Sequence, residues 1–323
     1  MSPLLRLGVV TAAAGILFAG AAALTMAFGY ARLQRGLAAV APAGRARWLL
    51  AAAGAPWAAA AVLVTACFLP WLEALAGLGV DHCPTHGSHH AHLCFAHLPA
   101  EPLSTGELLL VATAAAVLTV MALRLGIAQT RAWRATRALL RASRGGEVRG
   151  SGPLAVTVGL WRPRVVVTSE LRSQLGADQV QVILEHEQAH ARRRDPLRAT
   201  IAAVLALVHL PHVRRAILRD LALACEQACD EDAARRLRGD RLRVAETLVA
   251  VEKLTSHAPW APAAFGGGNV TARVESLLAP CLPEREAVGF RRALVLLAAA
   301  CAMGALAPTI HHVTETLLGF LER

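Results

Sequence analysis

Polar and apolar positions divide this chain into long apolar runs and one polar-patterned middle. Leu7 to Tyr30 is a near-continuous apolar run, long enough to cross a bilayer. It is too long for a signal-peptide core and lacks a clear cleavage site, which predicts a retained helix. Trp48 to Leu72 is a second span, with Trp48 and Trp71 near its two interfaces. Leu108 to Leu123 is a third. Leu294 to Ala307, running on past Pro308 to Ile310, is a fourth and shorter one. Gly and Ala recur through these runs and permit close helix packing.

Between the third and fourth runs the pattern changes. Gly145 to Gly152 reads as a flexible junction. Leu154 to Val158 and Arg164 to Thr168 are β-branched runs bracketing Gly159-Leu160-Trp161-Arg162-Pro163, which predicts a hairpin. Val180, Ile183 and Leu184 then recur at helical spacing, with Asp178 as the expected N-cap. Leu197 to Leu210 is a very apolar helix ended by Pro211, either buried or lying against the membrane. Ile217 to Leu237, Arg241 to Leu254 and, after Gly266-Gly267-Gly268, Val270 to Leu278 are further helical pieces. The expected fold class is a mainly α membrane protein with four transmembrane helices and an inserted α+β domain. Its expected division is 1–129 (three helices, with a loop at 73–106), 130–285 (the inserted domain), 286–310 (the fourth helix) and 311–323 (a short tail).

Composition agrees with a membrane protein. Hydrophobic residues make up 55% and charged residues only 17%, too apolar for a soluble chain of this size. The formal charge of +10 is almost all arginine, Lys253 being the only lysine. The aromatics are too few and scattered for a base-stacking platform, so no direct nucleic-acid contact is expected. The arginines instead set topology. Arg32, Arg35, Arg45 and Arg47 lie between spans one and two, and Arg131, Arg134, Arg137, Arg141, Arg144 and Arg149 follow span three. The connection between spans two and three has no Lys or Arg. The positive-inside rule then places both termini outside and 130–285 in the cytoplasm, in a bacterial inner membrane. Only Arg6 pulls the other way.

The chemistry centres on His186-Glu187-Gln188-Ala189-His190. On a helix, residues four apart share a face, so two imidazoles in H-E-x-x-H can grip one Zn²⁺ while the Glu serves as base. Asp195-Pro196 reads as a break and restart, with Asp195 the N-cap of the next helix. Further on, Glu226 and Asp230 are four apart within an apolar-periodic stretch. The Glu completes a His₂Glu zinc site and the Asp orients a ligand His. The alternative is a solvated acidic face, since Glu231 and Asp232 follow. Zinc with an open position points to metal-assisted peptide hydrolysis, with Glu187 as general base. No residue is assigned to the oxyanion, and His209, His212 and His257 fit packing better than catalysis.

Seven cysteines form no evenly paired framework. Cys67 and Cys301 fall in apolar runs, and Cys225 and Cys229 read as reduced core residues beside Glu226, with a second zinc site using them as the less favoured alternative. The loop between spans two and three holds His82, Cys83, His86, His89, His90, His92, Cys94 and His97. Such a tract suits Cu or Zn and predicts an external metal-sensing element. A polar spacer loop with a Cys83–Cys94 disulfide is the competing reading.

Trp161-Arg162-Pro163-Arg164-Val165-Val166-Val167-Thr168, the run from His186 to Asp195, and Glu226-Gln227-Ala228-Cys229-Asp230 together resemble the BlaR/MecR-type antirepressor metallopeptidases. The resemblance covers Pro153 to Leu278 and the arrangement of spans. It implies a gluzincin-type fold for the inserted domain, with His186, His190 and Glu226 as zinc ligands and Glu187 as general base. Asp230 is implied as a ligand-orienting residue, and Asp195 is a further candidate for that role. It also implies a winged-helix transcriptional repressor as substrate, cleaved in the cytosol in response to an outside signal, with self-cleavage as a further option. The lipid bilayer is a partner by composition, and a homodimer is among the open assembly states. The beta-lactam-sensing members carry a penicillin-binding domain after the fourth span. Only a short stretch follows Pro308 here, so beta-lactam sensing by that route is not expected. Two alternatives stand beside the antirepressor reading: a quality-control or maturation protease, and a non-catalytic metal-binding membrane sensor.

Overall fold

The computed structural model describes residues 3–77, 93–95, 104–143, 147–148, 154–255, 269–280 and 305–318. It is mainly helical, with one small sheet. Three helices, α1 (Pro3–Leu37), α2 (Pro42–Leu75) and α3 (Thr105–Ala142), are long and apolar enough to cross a membrane. Each outruns its apolar stretch. α3 begins at a capping box, Ser104 with Glu107, and continues through the arginine cluster expected as a connection. Arginine is a good helix former, and within the cluster Arg137 covers the Trp133 ring at 3.9 Å.

The expected hairpin is present. β2 (Ala155–Val158) pairs antiparallel with β3 (Arg164–Thr168). A two-residue strand β1 (Glu147–Val148), from the stretch expected as a flexible junction, pairs parallel with the other side of β3. The order is β1-β3-β2, so β2 is an edge. Helices α4 (Ser169–Gln174), α5 (Ala177–Arg193), α6 (Asp195–Leu205), α7 (Pro211–Arg236), α8 (Arg241–Thr255) and α9 (Val270–Leu278) follow. Leu197 to Leu210 is thus α6 plus a 3₁₀ turn, Ala206–Val208, and Pro211 opens α7.

The domain is built onto one end of the bundle. Tyr30 and Leu37 of α1, and Leu49 and Ala53 of α2, share a core with Ala202, Ala206, Val213, Ile217 and Leu221. Polar contacts fix the register. Tyr30 donates to Asp220 at 2.9 Å, and Arg45 donates to Gln227 at 3.1 Å. The buried His209 donates from Nε2 to the Ala53 carbonyl at 3.2 Å, a packing role rather than a catalytic one.

At the opposite end, Leu7, Val10 and Cys67 pack with Leu93 and Leu318. Leu318 belongs to a helix, α10, over 305–318. The expected tail 311–323 is therefore helical over its described part. His311 donates to the Cys67 carbonyl at 2.7 Å, and Glu315 accepts from the Leu93 N–H at 3.1 Å. Most of the fourth span lies outside the described residues. So do His82, Cys83, His86, His89, His90, His92 and His97 of the external tract, and His257. Cys94 is described, buried and a free thiol.

Candidate metal centre

α5 places its motif by local rules. Its N-cap is Gly176 rather than Asp178, and Gln179 Oε1 accepts the Gly176 N–H at 3.2 Å. Asp178 sits in the first turn, where its charge still suits the helix dipole. Val180 and Val182 are buried. The helix ends at Arg194, which has φ 53° in the left-handed region. That turn sends the chain back, so Asp195 is the first residue of α6 rather than its N-cap, and its carboxylate reaches His190.

His186 and His190 bring their Nε2 atoms to 3.1 Å from each other. Glu226, from α7, closes the third side. Its Oε2 lies 3.4 Å from His186 Nε2 and its Oε1 3.4 Å from His190 Nε2. All three offer a ligand atom within 4.8 Å of one another. The outer ring nitrogens are already engaged: His186 Nδ1 with Asp230 Oδ1 at 2.9 Å, and His190 Nδ1 with Asp195 Oδ2 at 2.9 Å. With Nδ1 donating, each neutral ring turns its Nε2 lone pair inward. Two lone pairs and a carboxylate then converge with no donor among them, an arrangement that calls for a cation. Two nitrogens on one tetrahedral zinc, each at about 2.0–2.1 Å, would lie about 3.3 Å apart, close to the separation seen. The residues fit zinc.

The surrounding charges fit too. Burial would make both imidazoles less basic, but their carboxylate partners override it: His186 is raised above the ordinary histidine value and His190 well above it. Burial opposes ionisation of Glu226, Asp230 and Asp195, yet the paired cations hold Glu226 well below the carboxylate range and the two Asp below it. Without metal the site favours protons on the rings, and a divalent ion takes their place.

Two contributors escape the sequence reading, and a third reads there as packing. Arg273, on α9, donates from Nε to Asp230 Oδ2 at 2.8 Å and from Nη2 to Oδ1 at 2.7 Å. Its Nη1 lies 3.0 Å from Glu226 Oε2. One buried guanidinium thus holds one candidate ligand and the residue that orients another. Thr157, on β2, sets its hydroxyl 2.8 Å from Glu187 Oε2 and 2.7 Å from the Glu187 carbonyl. Cys229, read as a core thiol, is buried but also touches the site, its Sγ lying 3.3 Å from both His190 Nδ1 and Asp195 Oδ2. Burial pushes its pKa to about 12, and the thiol stands as a donor to Asp195. With His190 and Asp195 it forms a second group able to hold a metal ion. Arg273 lies beyond the Gly266-Gly267-Gly268 break, and Thr157 is one β-branched residue among several. Neither carries a local signal.

The centre opens into a cleft of about 670 Å³. Leu154 to Thr157 form one side, and Ala199, Ala203, Leu218, Leu221 and Ala222 the other. Glu187 borders both this cleft and a smaller pocket lined by Ile183, Val244, Val251 and Val270, with Arg273 at its wall.

Residues 151–277 match the family model described as BlaR1 peptidase M56. The match contains His186, Glu187, His190, Asp195, Glu226, Asp230 and Arg273. No curated protein and no solved structure matches the chain.

Proposed function

We propose, from the BlaR1 peptidase M56 domain at residues 151–277, that this chain is an integral-membrane zinc metalloendopeptidase acting on the cytoplasmic side. The observation that carries the reading is the convergence of His186, His190 and Glu226, with Glu187 beside them at the cleft. Bound there, zinc supplies a Lewis acid that makes water nucleophilic near neutral pH and draws charge from the scissile carbonyl. Glu187 takes the proton of the attacking water and delivers it to the amide nitrogen as the C–N bond breaks. Thr157 fixes that carboxylate. The free edge of β2 offers main-chain groups to an extended peptide lying along the cleft.

The substrate we infer is a winged-helix transcriptional repressor, cleaved when an external signal reaches the domain through the bundle. The His82–His97 tract is the proposed input, as a Cu or Zn site. Support for the orientation is that the arginine-flanked ends of α1, α2 and α3 all lie on the peptidase side. The apolar cleft wall favours a second reading, a protease of membrane-protein segments.

The test uses the full chain in nanodiscs, zinc analysis and a library of quenched fluorescent peptides. Glu187→Gln keeps its zinc and loses about 10²–10⁴-fold in cleavage, because only the base is removed. Glu226→Ala loses zinc and cleavage together. Proteolysis retained in Glu187→Gln would remove Glu187 from its role. Zinc retained in Glu226→Ala would move the third ligand elsewhere.

A further inference from the structure

The stretch from Ala199 to Pro211 contains no Asp, Glu, Lys or Arg. It covers the second half of α6, the 3₁₀ turn and the step into α7. Its inner face is accounted for by the core shared with α1 and α2, through Ala202, Leu205 and Ala206. Its outer face is not. Ile201 is 41%, Val204 47% and Leu210 37% exposed. In water such a cluster is unfavourable, and nothing else in the described part of the chain covers it.

The level of this face along the bundle is fixed by three contacts with α2. Trp57 Nε1 donates to the Leu205 carbonyl at 2.8 Å, a Cβ on Gly54 would stand 3.3 Å from Leu205, and His209 meets the Ala53 carbonyl at 3.2 Å. Residues 201–210 therefore stand level with Ala53 to Trp57. From Ala53 to Leu72 α2 rises about 29 Å. From Leu7, in the core at the far end, to Ala27, in the core beneath the peptidase, α1 rises about 30 Å. Both lengths match a hydrocarbon core of about 30 Å. With the far ends of α1 and α2 at one boundary of the bilayer, the exposed face of α6 falls at the other. The lipid-facing surface of α2 continues into it, since Trp57 is itself partly exposed beside Leu205. Arg215 and Arg219, exposed on α7 one and two turns farther from the bilayer, stand at headgroup level.

We propose that the α6 edge, Ile201, Val204 and Leu210, is inserted in the leaflet next to the peptidase domain, so that this domain is seated in the bilayer as well as tethered to it. The occupant of this face is lipid acyl chain, with phosphate headgroups at Arg215 and Arg219. Sequence alone left this helix as either buried or membrane-bound. One face is buried in the protein core, and lipid covers the other. The inference concerns how the domain sits and stands apart from whether the cleft hydrolyses peptides.

The unaltered chain in nanodiscs of phosphatidylcholine and phosphatidylglycerol is photolabelled with a diazirine on the lipid acyl chain, then digested with trypsin. The peptide 199–214 is expected to carry label at Ile201, Val204 or Leu210, as the peptides of α1 and α2 do. The tryptic peptide 244–253 of α8, a helix on which Leu242 is 59% and Val249 38% exposed, stays unlabelled. Label on α1 and α2 with none on 199–214 overturns the proposal. A nitroxide at Val204, read against one at Leu242 with background from the native cysteines subtracted, gives an independent measure. Val204 is expected to favour oxygen over a water-soluble nickel relaxant and Leu242 the reverse, and equal behaviour at the two positions overturns the proposal.

Discussion

Arg273 spans Asp230 and Glu226, and it is the residue on which the resting geometry of the centre most depends. Burial would lower its pKa, but the two carboxylates more than offset this and raise it. Arg273→Ala strands Asp230, 1% exposed, as a buried carboxylate with a single partner. Breaking such a pair costs about 3–5 kcal/mol. Zinc affinity, measured against a competing chelator, and Tm are both expected to fall. Arg273→Lys keeps the charge but not the fork, so it recovers part of the loss. Zinc affinity unchanged in Arg273→Ala would show that Asp230 holds His186 unaided. The contrast with His186 and His190 explains what the sequence revealed. Ligands four apart on one helix obey a period and are legible without a fold, and Glu226 with Asp230 obey the same one. Arg273 and Thr157 reach the centre only through the packing of α9 and β2 on the motif helices, and no spacing encodes that.

Among the elements, β2 meets two demands at once: Thr157 must reach Glu187, and the strand's outer edge is unpaired among the described residues. The turn that sets its register passes through Gly159 at φ 104°, a conformation closed to L side chains, and a Cβ there would meet the Arg162 carbonyl at 2.9 Å. Gly159→Ala is expected to destabilise the domain by about 1–3 kcal/mol in thermal unfolding. An unchanged Tm would mean the hairpin can re-form by another route. Element existence was legible wherever a period or a β-branched run was strong: the hairpin, α5, α7, α8 and α9. Ends were less so. Asp178 and Asp195 were natural N-caps by type, yet Gly176 and Arg194 hold those positions, because Gln179 and His190 offer partners that type alone does not reveal. β1 was invisible, since two residues carry no pattern.

At the scale of the whole molecule, the peptidase domain grips α1 and α2 by side faces, not merely by the chain linking them. Tyr30 and Gln34 both donate to Asp220, and Arg45 reaches Gln227, which in turn donates to the Ala272 carbonyl next to Arg273. Charge distribution sets the expected orientation. Reporter fusions near Arg45 and Arg144 are expected to score as cytoplasmic, and fusions near His90 and at the C-terminus as external. An external score near Arg144 would put the peptidase on the wrong side for a cytosolic repressor and remove that substrate. Three of the expected spans, α1, α2 and α3, were plain in the sequence, as was the arginine asymmetry. That the first quarter of α2 lies against protein was hidden, because an apolar run reads the same whether lipid or α7 covers it.

Pro56 gives this grip a mechanical meaning. A proline inside a helix lacks the main-chain donor that would bond the carbonyl four residues back, here Ala52, and so leaves a compliant joint. His209 is lodged at that joint, with its ring on the neighbouring Ala53 carbonyl. The proline break in α2 and the corner between α6 and α7 therefore meet at one point. Any flexing of the span about Pro56 works directly on the two helices that form the far wall of the cleft, with no loop between them to absorb the stroke.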